Sequence, residues 1–529
     1  MVGQFKWGKL VALLVALVLV AAACGGDDDG DADEAPGDAQ PPEEVTIIRG
    51  TTDPWQSFDP AGAYDLPSWD VIYNVMETLM TIPPGGDTPE PALAESCDFE
   101  DPKTYTCTLK DGVTFHDGST LDAEDVKFSF DRNLGIADPE GASSLFASLQ
   151  ETEVVDESTV TFHLKRADGV WPFILTIASA SIVPSETYSD TEIQSDQEVI
   201  GTGRYQVAEY RPGEQLVLEA FEDYHGDPPA NSRAIIQLFD TSSALKLAVE
   251  QGEVDIAYRS LTPTEIDDLR GQDGIEVIQG TGIEIRYLVF NLDQEPYDDK
   301  AVRQAIAMTI DRQAIVDNVY NGTVKPLYSM NPVGLDGHLD SFAEEYGESA
   351  DPDGAAQVLS DAGIDTPVDL EIWWTPSHYG DLSADEYAEI KRSLEESGLF
   401  TVNLKSTEWD AYTEAAFTGQ YPAYQLGWFP DYPDADNYLA SFYSSDTFLA
   451  NGYSNERVDE LIDVERASTD QGERVAAFEE IQQIAAEDVS IVPIWQGDQI
   501  GAVRSGVTGV EDTFDASFIF RYWLIGKEG

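Results

Sequence analysis

Between Val368 and Lys405 the chain reads as strand, helix, strand, and no other stretch limits its possible folds as much. Val368 to Trp374 alternates apolar with acidic residues before two tryptophans, the pattern of a half-buried strand. Ser383-Ala384-Asp385-Glu386 then has the spacing of a capping box for a helix to about Glu396; Gly398 stops it, and Thr401 to Lys405 returns as a strand. Such a βαβ unit requires a sheet with parallel strands and helical cover. Related signals lie upstream. Asp298-Asp299 precede Ala301 to Tyr320, where Val302, Ile306, Ile310, Ile315 and Val319 recur at near-helical spacing and Gly322 closes the segment, which predicts one helix. Asp351-Pro352 opens a short helix to Gly363, and Ala244 to Ala257 predicts a helix to Gln251-Gly252 followed by a strand. Thr88 to Phe162 differs, reading as a β-rich insert with one helix near Asp122 to Asn133. The fold class is α/β.

The chain has 529 residues, and at roughly 150 residues per domain this allows about three domains or one large lobed body. The first 24 residues stand outside the fold. Lys6 and Lys9 precede an unbroken apolar run from Leu10 to Ala23, which is shorter than the roughly 20 residues a spanning helix needs and suits a signal peptide. It ends in Ala21-Ala22-Ala23-Cys24-Gly25, which resembles a bacterial lipobox, with Ala21 in place of the usual Leu. That resemblance implies lipidation of Cys24 and anchoring on the outer face of a membrane. Residues 25–44 hold nine acidic residues, no basic one, three prolines and four glycines, the composition of a self-repelling disordered tether. No later segment is long and apolar enough to span. In an exported chain the two other cysteines, Cys97 and Cys107, are expected to form a disulfide across a hairpin of Ala94 to Phe99 and Thr104 to Leu109.

The charge balance, 29 Lys+Arg against 100 Asp+Glu, argues against nucleic acid, whose binding depends on basic side chains. The five histidines are scattered, without HExxH or CxxC, so no metal site is expected. There is no GxSxG elbow and no Walker loop. Paired carboxylates mean nothing in a chain this acidic. No catalytic residue and no cofactor are assigned, and an enzyme is not expected.

Several stretches then become recognisable in order: Ser57-Phe58-Asp59-Pro60 with Ala63-Tyr64-Asp65; Leu109-Lys110-Asp111-Gly112-Val113-Thr114-Phe115-His116-Asp117-Gly118; Gly201-Thr202-Gly203-Arg204-Tyr205; Gly252-Glu253-Val254-Asp255; Asn291 with Tyr297-Asp298-Asp299 and Val302-Arg303-Gln304-Ala305-Ile306; and Gly427-Trp428-Phe429-Pro430-Asp431-Tyr432-Pro433-Asp434. From Val45 to the C-terminus the chain resembles the family 5 extracellular solute-binding proteins, the large peptide-binding type that serves ABC importers. The resemblance implies a two-lobed, periplasmic-binding-protein-like (type II) clamshell with an additional β-rich insert domain. It places lobe one at residues 45–81, 200–282 and 491–529, the insert at 82–199 and lobe two at 283–490. The implied partners are a peptide or other small solute, the permease with its ATPase subunits, and a membrane reached through the lipid; a monomer is expected. A non-peptide solute such as an oligosaccharide or nickel chelate, or a signalling sensor, remains an alternative.

In peptide-binding relatives the Asp at the place of Asp431 accepts the α-ammonium of the ligand, the alternative for any single Asp being a solvated surface charge. Gly427, Trp428, Phe429 and Tyr432 are its expected companions in the cleft, and Tyr64 is a further family-based expectation. The relatives' carboxylate-binding Arg is missing. One of its positions is Gln425 and the other falls in Thr375-Pro376-Ser377-His378-Tyr379. His378 is therefore either a weak substitute donor or an exposed loop residue, and Tyr379 beside it is assigned to the ligand-binding set. Of Trp373 and Trp374, on opposite faces of one strand, one is expected in the core and Trp374 is assigned to the cleft. From Val45 onward 27 basic residues face 91 acidic ones, a formal −64, which reads as a surface suited to a salty medium.

Overall fold

The computed structural model describes residues 45–380 and 382–528. The leader, the lipidation expected at Cys24 and the acidic tether lie outside the described residues. Among the described residues no helix is long and apolar enough to cross a membrane.

Two sheets organise the body. The first has seven strands in the order Ile275–Gly280, Gln499–Arg504, Ile256–Tyr258, Thr46–Thr51, Arg233–Leu238, Gln215–Ala220, Tyr205–Arg211. The second has six: Val324–Pro326, Ile491–Gly497, Ile285–Phe290, Ala423–Trp428, Val368–Trp374, Phe400–Ser406. Separate hydrophobic clusters build the cores around them. A four-stranded antiparallel sheet between residues 94 and 164, with helix Ala123–Ile136, forms the β-rich insert. There Cys97 and Cys107 face one another on adjacent strands and are disulfide-bonded. This is the two-lobed α/β architecture with its insert. The βαβ unit is present, with Val368–Trp374 parallel to Phe400–Ser406 and helix Ser383–Glu396 between them.

The chain passes between the sheets at two adjacent places. Residues 281–284 lead from strand Ile275–Gly280 into strand Ile285–Phe290, and Asp498 alone separates Ile491–Gly497 from Gln499–Arg504. The crossings are bonded to each other, Gly497 N–H donating to the Glu284 carbonyl at 2.8 Å and the Gln496 amide to the Gly282 carbonyl at 2.7 Å. A Cβ on Gly282 would sit 2.4 Å from the Gly497 carbonyl oxygen, so close backbone approach requires glycine there.

Three expectations are corrected. The return to lobe one, placed after Ser490, occurs at Asp498: every residue of Ile491–Gly497 is buried, and the strand pairs on both edges inside the second sheet. An apolar run covered on both faces belongs to a sheet interior. The single helix over Ala301 to Tyr320 is two, Lys300–Thr309 and Arg312–Asn318. Asp311, in extended conformation, accepts the Ala314 N–H at 3.0 Å and starts the second. The capping box at Ser383 does not form, since Ser383 is already helical, and no side chain among the described residues caps this end. Glu386 instead turns inward, accepting from the Tyr320 hydroxyl at 2.6 Å and Trp495 Nε1 at 3.0 Å.

Much of the family-like sequence is structural. Asp59 forms a buried two-point pair with Arg132 that ties the insert down, His116 Nε2 meets the Gly203 carbonyl at 2.9 Å, and Arg303 bonds the carbonyls of Tyr297 and Asp488.

Candidate ligand cleft

Asp431 lies just beyond strand Ala423–Trp428, where the chain leaves the second sheet. Its Oδ2 accepts Asn437 Nδ2 at 2.9 Å, and the Asn437 oxygen accepts both the Asp431 N–H at 3.1 Å and Trp428 Nε1 at 2.8 Å. Trp428 thus locks Asn437, and Asn437 aims the carboxylate. The other oxygen, Oδ1, accepts the Tyr64 hydroxyl at 2.7 Å. Tyr64 precedes Asp65, the residue that caps helix Leu66–Val75 through the Ser68 N–H, and its ring lies 5.9 Å from that of Trp69. It follows the first strand of the first sheet, so the bond spans the two lobes. Burial pushes the Asp431 pKa up, against the pull of the Asn437 and Tyr64 hydrogen bonds. Among the described residues it has no cationic partner. A carboxylate desolvated among neutral donors gains by receiving a cation.

Tyr432 faces away from Asp431. Its hydroxyl donates to Asp436 at 2.9 Å and its ring packs 6.2 Å from the insert residue Phe173. Phe429 points the other way, edge-on to Phe518 at 6.0 Å, with the guanidinium carbons of Arg259 and Arg286 at 5.0 and 5.9 Å from its ring centre. A cavity of about 540 Å³ opens here between the lobes, walled by Thr52, Arg259 and Ser260 on one side and Glu284, Arg286 and Tyr379 on the other.

Arg286 was not among the expected site residues. The signal for it is a lone charge inside the run Ile285–Phe290, every residue of which is buried. Gly427 is its cross-strand neighbour, and a Cβ there would lie 2.4 Å from Arg286 Nη1. Gly427 is therefore the residue that makes room for the guanidinium. Its N–H donates to the Tyr379 hydroxyl at 2.9 Å, and the Tyr379 ring lies 4.3 Å from the guanidinium carbon. Arg259 follows strand Ile256–Tyr258 with its backbone, and that of Ser260, in the left-handed region at φ 63° and 69°. Two consecutive non-glycine residues are held there by Asp53, which accepts Arg259 Nε at 2.9 Å and the Ser260 hydroxyl at 3.2 Å.

His378 stacks on Trp409 with ring centres 3.7 Å apart. Desolvation and the charge of Arg286 push its pKa down to about 4, so it carries no charge at pH 7. Of the expected site residues, Tyr379 lines the cavity, whereas Asp431, Tyr64, Gly427, Trp428, Phe429, Tyr432, His378 and Trp374 are not among the described residues lining it; Trp374 packs at the edge of the second sheet's core. Gln425 is fully buried and donates to Ser383 Oγ at 3.4 Å, away from the cleft.

The model of the bacterial extracellular solute-binding proteins, family 5 (middle), matches residues 88–449. The dipeptide-binding protein of Escherichia coli K12 is 27% identical over 450 residues, covering 79% of this chain and 83% of its own. Heme-binding protein A of Haemophilus influenzae is 25% identical over 525 residues, covering 92% and 93%. Among solved structures, DppA of Helicobacter pylori in complex with the peptide STSA superposes with a TM-score of 0.77 at 23% identity, covering 92% of this chain and 99% of that one. The ABC transporter substrate-binding protein CtaP of Listeria monocytogenes reaches 0.80 at 25% identity, covering 92% and 100%.

Proposed function

The chain belongs to the bacterial extracellular solute-binding proteins of family 5, and from that membership we propose that it captures peptides between its two lobes and delivers them to the permease of an ABC importer. The observation that carries this reading is Asp431, a desolvated carboxylate at the junction of the lobes with only neutral partners among the described residues. A peptide α-ammonium meets that need with a charge-assisted bond. Trp428 and Asn437 hold the carboxylate in place, while Tyr64, 40% exposed, gives access to it from the first lobe. A ligand touching both lobes favours the closed form by its differential affinity for it, and the adjacent crossings at 281–284 and Asp498 are the natural hinge. Lipidation at Cys24, with residues 25–44 as a tether, would hold the protein at the extracytoplasmic face of the membrane near its permease. The family's name and the relatives named for dipeptide binding support this assignment.

Incubation of the protein with a mixed peptide digest, followed by gel filtration and mass spectrometry of the retained material, tests it. Retention of peptides is expected. Retention of oligosaccharide or a metal chelate from a competing mixture, with no peptide, would overturn the assignment, as would turnover of the bound molecule.

A further inference from the structure

Asp431 provides for one end of a ligand, and the cavity between the lobes holds two arginines, Arg259 and Arg286, among the acidic residues Asp240, Glu284 and Asp498. Arg259 and Arg286 both approach the ring of Phe429, two residues before Asp431. Each guanidinium has one carboxylate partner: Arg286 Nη2 lies 2.6 Å from Glu284 Oε1, and Arg259 Nε 2.9 Å from Asp53 Oδ2. A guanidinium presents five N–H donors in a planar fork. Among the described residues, the one further acceptor for either is the Ile285 carbonyl, 3.1 Å from Arg286 Nη1. The η nitrogens of Arg259 and the Nε of Arg286 thus have no acceptor among the described residues, and both side chains line the cavity. Arg286 is also held ready. Its side chain is 7% exposed, lies between the Tyr379 and Trp495 rings at 4.3 and 5.0 Å, and fills the space left by Gly427. A cation fixed by packing, with donors to spare toward a cavity, has the chemistry to receive a planar anion through paired N–H bonds.

We propose that Arg286 and Arg259 form the subsite for the ligand's carboxylate. A peptide with free ends then lies with its ammonium on Asp431, its backbone along Phe429 and its C-terminal carboxylate on the two guanidiniums. This assignment rests on the peptide reading above and supplies the anion site that Gln425 and the His378 loop do not.

The test uses alanine peptides of two to five residues, each prepared as the free acid, the C-terminal amide and the N-acetyl form, with affinities measured calorimetrically on the purified protein, Arg286→Gln and Arg259→Gln. The unmodified protein should prefer free acid to amide by about tenfold or more. Each variant should lose most of that preference while still preferring a free N-terminus to an acetylated one. If the variants weaken acid and amide alike and leave their ratio unchanged, the arginines are structural and the subsite is overturned. The same follows if the unmodified protein does not distinguish acid from amide. Failure of every form to bind would overturn the peptide reading, and this subsite with it.

Discussion

Tyr64 and Asp431 stand 367 residues apart and share a 2.7 Å hydrogen bond, the phenol donating to Oδ1. It joins a loop of the first lobe to the end of a strand in the second, and it is one of the two side-chain bonds that restrain the rise of the Asp431 pKa.

Tyr64→Phe should make ligand binding more sensitive to acid. Burial raises the Asp431 pKa and the Tyr64 and Asn437 bonds lower it, so removing one bond raises it further. An ammonium requires the ionised carboxylate, and affinity is lost as pH falls through the ligand-free pKa. The midpoint of that loss should move to higher pH in the variant. Calorimetric titrations in steps from neutral to acid decide it; an unchanged or lower midpoint would remove Tyr64 from the site.

Asp431→Asn should separate affinity from stability. Peptide binding should weaken by about 2–5 kcal/mol, the cost of losing one partner of a shielded charge pair. Stability should not fall. A carboxylate whose folded pKa lies above its unfolded value subtracts from stability at every pH above the unfolded value, and at pH 7 the substitution removes that cost. Thermal melting of the ligand-free protein at pH 7 is therefore expected to be unchanged or higher, and a clear drop would show that Asp431 is a stabilising group.

Arg132→Met should loosen the insert. Arg132 bonds both oxygens of Asp59 at 2.8 and 2.5 Å and the carbonyls of Ser189 and Glu192 at 2.6 and 2.8 Å, with the paired side chains 2% and 0% exposed. Removing one member of such a pair leaves a buried charge and costs about 3–5 kcal/mol. Urea denaturation should show the loss, and Asp59→Asn in the same protein should restore part of it. Additive losses in the double variant would mean that the two residues act independently.

Salt should stabilise the protein. With 27 basic against 91 acidic residues from Val45 onward, self-repulsion opposes the compact state and is screened as the Debye length shortens to about 3 Å at 1 M salt. The melting temperature should climb from very low to molar sodium chloride. A flat curve would rule out the acidic surface as an adaptation to a salty medium.

The elements that the sequence made legible are those whose causes lie close together in the chain. The βαβ unit of Val368 to Ser406, the helix started by Asp122 and the cysteine hairpin all follow from alternation, caps and spacing within a dozen or so residues. Local signals failed where a distant partner outbid them. Ser383 and Glu386 have the pattern of a cap, yet Gln425, Tyr320 and Trp495 claim their side chains. Ile491–Gly497 joins the second sheet because strands Ile285–Phe290 and Val324–Pro326 flank it; its own apolar run marks a sheet interior but not which of the two sheets.

By itself, then, the sequence determined the α/β class and the resemblance to a solute-binding family. Only the tertiary structure decided what each residue from Gly427 to Asp431 touches. Asp431 meets Tyr64 across the lobes, Trp428 secures it through Asn437, and Gly427 with Tyr379 supports an arginine that no motif singled out. The physical reason is that desolvation and cross-strand register set the energy of a buried charge, and both arise only when segments far apart in the chain are brought together.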